Sequence, residues 1–150
     1  MIKTAIRIAT GKDAWFIANN LRPDDLKELR ALQQGLPEVL VMETFECAAW
    51  SRVATLNDVP VILYGVCPHD IKGHGIPFMV ATPAITQFTK RFVRGSIDEV
   101  FLMEKTFPKL INMVHKENQL SRRWLKWLGF EIDEKPVGPG GEFMMFTKGI

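Results

Sequence analysis

The stretch Asn118 to Phe130, NQLSRRWLKWLGF, decides how this chain is read. At 100° per residue, Leu120, Trp124, Trp127 and Leu128 form one apolar arc, with Ser121 and Leu125 at its edge. Arg122, Arg123 and Lys126 take the opposite arc. Asn118 stands where a helix wants an N-cap, and Gly129 stands where it stops. The spacing therefore predicts a short amphipathic helix over Gln119–Leu128. The segment ahead of it, LINMVH, reads as a buried strand. The segments behind it, FEIDEKPV and EFMMFTK, read as two strands around GPGG.

Earlier in the chain, Thr4 to Ile8 alternate as a strand, and Thr10 caps a helix from about Lys12 to Asn20 with Asp13 in its first turn. Pro23 in RPDD starts a new helix, DDLKELRALQQ, that stops at Gly35. Pro37 begins a third, PEVLVMETFECAAW, whose Val39, Met42, Phe45 and Ala49 form an apolar stripe. SRVATL and PVILYGVC pair as a hairpin around Asn57-Asp58, and IPFMVA follows as a further strand. From Ala84 to Phe107 the period is helical: Ile85, Phe88, Phe92, Ser96, Val100, Met103 and Phe107 step by three or four. One long helix is expected there, with Gly95 as a point where it could kink. The order β-α-α-α-β-β-β-α-β-α-β-β implies a mixed α/β domain whose sheet is partly antiparallel.

The 150 residues suit a single domain, without repeats or a linker. With 47% apolar and 24% charged residues, the composition is that of a folded globular chain. The net charge of +2 is too small to point to nucleic acid. Cys47 and Cys67 form neither a CxxC pair nor a disulfide framework, and read as reduced thiols. No segment has the length of a transmembrane span or the apolar core of a signal peptide, so a secreted or membrane-embedded protein is not expected.

Asn118, the small Ser121 three residues on, and Gly129-Phe130 eleven and twelve on resemble the fourth helix of the GNAT superfamily of acetyl-CoA-dependent N-acyltransferases. The opening IRIATGKDAWFIANNLRPDDLKEL and the strand order are similar to the same fold. The resemblance covers essentially the whole chain. It implies a GNAT-like α/β domain: a central mixed β-sheet with two splayed parallel strands, IPFMVA and LINMVH, and helices on both faces. RPDD, the helix after Thr82-Pro83, SRRWLKWLGF and GPGGE further resemble a family of short GNAT-like internal virion or core proteins of short-tailed bacteriophages.

The superfamily implies acetyl-CoA or coenzyme A as cofactor, with Asn118 in position to bond its pantetheine arm. Ser121 is small enough to let that ligand, or simply a packed backbone, come close, and Thr82 joins the candidate contacts. Lys90 and Arg91 could attract the phosphates through their side chains, as could Arg122, whose plain alternative is a solvated basic face. Asn118 also has a plain alternative as an N-cap. Two departures stand out. The superfamily's pyrophosphate loop, Q/R-x-x-G-x-G/A, is replaced by TPAITQFTKRFVRG, which has no glycine before Gly95. Bare backbone N–H groups at a helix start make an anion site, and Pro83 removes one. The tyrosine that the superfamily often places four residues before the glycine is Leu125 here. Tyr64, the chain's one tyrosine, sits on a strand and is expected to pack in the core.

His115, at the end of LINMVH, is the candidate base for an amine, or a hydrogen-bonded strand-end histidine. His69, Asp70 and His74 lack the spacing of a metal site, so no metal is expected. Lys90, Arg91 and Arg94 cluster, but Phe88 and Phe92 lie on the buried stripe, which speaks against nucleic acid. Two functions follow. In one, chemistry is reduced or lost and the protein serves as a virion or assembly component, or binds a host protein, in the virion or host cytoplasm. In the other, it moves an acetyl group to a small-molecule or protein amine.

Overall fold

The computed structural model describes residues 2–150. β1 (Thr4–Ile8) leads to α1 (Gly11–Ala18), α2 (Pro23–Ala31) and α3 (Pro37–Cys47). β2 (Trp50–Leu56), β3 (Val59–Pro68) and β4 (His74–Ala81) follow, then a 3₁₀ turn (Pro83–Gln87), α4 (Lys90–Arg94) and α5 (Ser96–Thr106). β5 (Lys109–His115), α6 (Gln119–Trp127), β6 (Glu131–Val137), a 3₁₀ turn (Pro139–Gly141) and β7 (Phe143–Lys148) complete the chain. The seven strands form one sheet in the order β1-β2-β3-β4-β5-β7-β6, antiparallel except for β4 and β5.

Local chemistry explains most of these elements. Thr10 and Asp13 make a reciprocal capping box at α1, and Asp13 also holds Arg7. That contact keeps the Asp13 carboxyl below the usual range. Asn57 and Asp58 both take positive φ, 48° and 66°, the twist a two-residue hairpin turn needs. Leu63, Phe78 and Val80 face α1–α3, where Ile17 and Val41 complete one core. Val66, Leu110 and Val114 face the other way and pack with Val100, Met103 and Leu125 of α5 and α6.

Three expectations are corrected. The helix expected over Ala84–Phe107 is broken: Phe88 is extended, and Thr89 starts α4 by accepting the Phe92 N–H. The apolar stripe survives because Ile85, Phe88 and Phe92 still face the sheet, packed with Ile62 and Ala81. A second interruption falls at Gly95, the residue where a kink was expected: it ends α4 and begins α5 with right-handed backbone angles. In α3 Met42 and Phe45 pack against the core as expected, but Val41 is buried beside them, Val39 is 45% exposed, and Ala48–Trp50 have already left the helix. On α6, Trp127 is 47% exposed and Leu120 borders solvent, so the buried edge runs through Trp124, Leu125 and Leu128.

Candidate functional site: a fork between two parallel strands

β4 and β5 pair only at their first residues, His74 with Lys109 and Gly75 with Leu110. Beyond Gly75 they diverge. Gly75 belongs at the vertex, because a Cβ there would lie 2.6 Å from the Phe107 ring and 2.8 Å from Val66. Past the vertex, strand backbone must find other partners. Asn112 Nδ2 donates to the Pro77 carbonyl across the gap (2.8 Å). Met79 turns its backbone to the same side as Pro77 and Ala81. At the wide end, both backbone groups of Ala81 are taken by the start of α2. The Arg22 N–H donates to its carbonyl (2.8 Å), and its own N–H donates to Asp25 Oδ2 (2.8 Å).

The other arm is closed by the same helix. The His115 N–H donates to Glu28 Oε1 (2.5 Å), and Asn118 Nδ2 reaches Glu28 Oε2 at 3.5 Å. Arg22 links the arms: its Nε donates to Asp25 Oδ2 (2.9 Å), and its Nη2 to Asn118 Oδ1 (2.9 Å) and Ser121 Oγ (3.0 Å). Asn118 Oδ1 also accepts the Ser121 N–H (3.4 Å), so Asn118 caps α6 while serving this network. Asp25 is 1% exposed and Asn118 2%. Burial pushes the Asp25 carboxyl up, against the pull of Arg22 and the Ala81 N–H. Burial also raises Glu28, to about 7, opposed by the His115 N–H and reinforced by Asp25.

His115 is buried at 2% exposure. Its Nδ1 accepts the Glu117 N–H (3.1 Å), which assigns the ring proton to Nε2, 3.3 Å from Glu142 Oε2. With both nitrogens engaged, His115 is a fixed strand-end residue and not an open base. The fork opens on a cavity of about 520 Å³, lined from both faces of the sheet by Leu29, Val41, Phe78, Val80, Met79, Trp124 and Leu125, among others.

The expected phosphate contacts do not converge there. Thr82 is buried, with its N–H on the Val61 carbonyl (2.9 Å) and its carbonyl accepting from Ile85 (3.1 Å). The N–H groups of Phe88, Phe92 and Val93 are likewise bonded, to Ile85 O, Thr89 Oγ1 and Thr89 O. A cradle of free amides is therefore not formed at these positions. Lys90 lies on a second hollow of about 510 Å³ with Arg94, Arg123, Phe88 and Trp127, which Arg91 does not line. Arg122, expected on the solvated arc, is half-buried and donates through Nη1 to the Lys116 carbonyl (2.8 Å). His69 and His74 each engage Nδ1 within their own loop, with Ile71 N and Lys72 O.

A seven-stranded sheet split between two parallel strands, with a helix capped by Asn118 at the open end of β5, fixes the architecture. This is the GNAT α/β fold, shared with solved GNAT-family structures such as that of Streptococcus pneumoniae. Solved structures that the chain resembles also include yncA, a putative acetyltransferase from Salmonella typhimurium with its cofactor acetyl-CoA. It matches at a TM-score of 0.66 and 14% identity, over 97% of this chain and 92% of that one. The paia N-acetyltransferase from Thermoplasma acidophilum, in complex with coenzyme A, gives 0.64 and 12% over 96% and 98%. The ribosomal-protein-S18-alanine N-acetyltransferase from Escherichia coli gives 0.63 and 15% over 97% and 92%. No protein-family model and no curated protein sequence matches the chain.

Within this GNAT fold, two features escape the sequence reading. Tyr64 is not a plain core residue: its hydroxyl donates to Glu99, which also holds Arg52 (3.1 Å). Burial and the Glu99 carboxylate both push the Tyr64 phenol up. The larger omission is the trio Arg22, Asp25 and Glu28. RPDD reads as a helix start, which it is. Its buried role had one available signal: Asp25, Glu28, Leu29 and Leu32 recur at helical spacing, so the acids share a stripe with leucines.

Proposed function

We propose that this is a GNAT-fold protein whose acyl-transfer chemistry is reduced or lost, acting as an internal virion or assembly component of a bacteriophage, or as a binder of a host protein. One observation carries the reading. Arg22 and Asp25, from the RPDD segment that resembles the phage family, occupy the hydrogen-bonding groups at the wide end of the fork. Asn118, which the superfamily resemblance assigns to pantetheine, already accepts from Arg22 and Ser121. The segment after β4 fits a pyrophosphate poorly: the N–H groups of Phe88, Phe92 and Val93 are bonded within the chain, Pro83 has none, and no glycine precedes Gly95. Coenzyme A or acetyl-CoA would have to displace these contacts.

Acetyl transfer to an amine is the second reading. It is favoured by the cavity at the fork and by Glu28, a carboxyl near neutrality that suits proton transfer at pH 7. Melting the protein with millimolar acetyl-CoA separates the two. A ligand at 100 times its Kd adds about 2.7 kcal/mol to the folded state. The proposal expects an unchanged melting temperature; a saturable rise overturns the loss of chemistry. Mass spectrometry of purified particles tests the virion role, and absence of the chain from them counts against it.

A further inference from the structure

We propose that Cys47 and Cys67 are a redox pair: hydrogen peroxide oxidises the exposed Cys47 thiol, and the buried Cys67 thiol then closes a disulfide that ties the end of α3 to β3. Both thiols are free in this structure, with Cys47 exposed and Cys67 buried. The fold brings them together from two directions. Side chains alternate along β3, so Cys67 shares with Leu63 the face that α1–α3 cover. Cys47 is the last residue of α3, and a helical side chain leans back toward the carbonyls three and four residues before it. For Cys47 these are the carbonyls of Thr44 and Glu43. The Cys67 S–H donates to that same Thr44 carbonyl, with Sγ at 3.5 Å. Two sulfurs thus address one carbonyl. The backbone fixes the juxtaposition: the Ala49 N–H donates to the Val66 carbonyl (2.9 Å), so the ladder starts beside Cys67 as soon as α3 ends.

The pair is asymmetric in the way a two-step oxidation needs. Cys47 meets solvent, whereas burial, and secondly the Cys47 thiol, push the Cys67 thiol up to about 11. The oxidant therefore reacts at Cys47 first. The Cys47 sulfur attacks one peroxide oxygen. The O–O bond breaks, an S–O bond forms, and water leaves with the thiol proton. The Cys67 sulfur then attacks the sulfenic sulfur. The S–S bond forms, the S–O bond breaks, and a second water carries off the hydroxyl and the Cys67 proton. The two thiols lose the two electrons that the peroxide gains. Loss of the Cys67 S–H leaves no carbonyl unpaired, because Thr44 O also accepts the Ala48 N–H (3.1 Å). The bridge closes the chain from Cys47 to Cys67 around the β2–β3 hairpin and so restricts the unfolded state more than the folded one. The step needs no coenzyme A.

The test adds hydrogen peroxide to the whole protein, alkylates the remaining thiols after unfolding, and reads the products by intact mass and peptide mapping. The expected product is monomeric, escapes alkylation and is lighter than the untreated protein by two hydrogens. It yields a peptide crosslinked through Cys47 and Cys67 that dithiothreitol separates, and it melts at a higher temperature than the reduced protein. In Cys67→Ser, dimedone should trap a sulfenic acid at Cys47. In Cys47→Ser, Cys67 should react roughly tenfold more slowly than Cys47 does in the other variant. The crosslink in the unaltered protein decides the question if either variant fails to fold. Thiols left unreacted, a product dominated by dimers joined through Cys47, a Cys47 that gains further oxygens while Cys67 stays a thiol, or a bridged protein that melts below the reduced one would each overturn the proposal.

Discussion

Replacing Glu28 by glutamine tests whether the fork holds a carboxyl that resists ionisation. The folded protein raises this group from 4.5 to about 7, chiefly by burial. At about 1.4 kcal/mol per pH unit, that move corresponds to roughly 3 kcal/mol. The sign follows from proton counts. Between pH 4.5 and 7 the folded state holds the Glu28 proton and the unfolded state has released it. Stability therefore falls as pH rises through this window, and the loss is complete above about 7. Glutamine keeps an oxygen for the His115 N–H but cannot ionise. Its amide also meets Asn118 Nδ2, an offset that does not vary with pH. Urea unfolding of both proteins at intervals from pH 4 to 8.5 measures the difference. Relative to the parent, Glu28→Gln should gain about 3 kcal/mol between pH 4.5 and 8, and the gain should level off above pH 8. Parallel stability curves would refute the reasoning, because they would mean that Glu28 ionises as freely folded as unfolded.

Other parts of the fork give sharper losses. Arg22→Ala leaves the Asp25 charge buried without its partner and should cost about 3–5 kcal/mol in urea unfolding, of which the pair Arg22→Met, Asp25→Asn regains at least half. Asn118→Ala removes a cap, about 1 kcal/mol, and orphans a buried Arg22 donor, about 1–3 kcal/mol, so a loss of about 2–4 kcal/mol is expected; a loss near 1 would assign Asn118 to capping alone. Gly75→Ala drives a Cβ against Phe107 and Val66 and should lower stability by about 1–3 kcal/mol, read from the melting temperature.

The sheet was legible because its strands carry local signals. The alternation in β1, the Asn57-Asp58 turn and the Gly129 stop each act over a few residues. The broken helix after β4 was not legible, because its stripe continues through the break. Periodicity reports which side a residue faces, and Phe88 and Phe92 face the sheet in either geometry, with rings 4.2 Å apart. Only the competition of the Thr89 hydroxyl for the Phe92 N–H ends the run, and a threonine within a helical pattern does not announce that choice. At the fork, the cap that Asn118 makes on Ser121 was legible because both lie in the first turn of one helix. Arg22 and Glu28 were not, since their partners are some ninety residues away. Charge near a proline reads as a solvated helix start until tertiary structure buries it.

A sheet that splits between parallel strands creates a chemical debt at its centre, because backbone groups beyond the vertex lose their ladder. Three kinds of group can settle it: water, a bound molecule, or side chains. Here the settlement at the wide end is made by the chain itself. Asp25 and the Arg22 N–H satisfy Ala81, and Glu28 satisfies His115, so one helical turn closes both arms. Carboxylates suit this task because they accept several bonds, but their burial then requires a cation, and Arg22 fills that need while reaching Asn118. Deeper in, Asn112 bridges the gap by donating to the Pro77 carbonyl, beside the cavity. The polar and apolar parts of the fork have thus been separated. The rim is saturated by residues from one segment. The proposed loss of acyl-transfer chemistry rests on that placement of Arg22, Asp25 and Glu28.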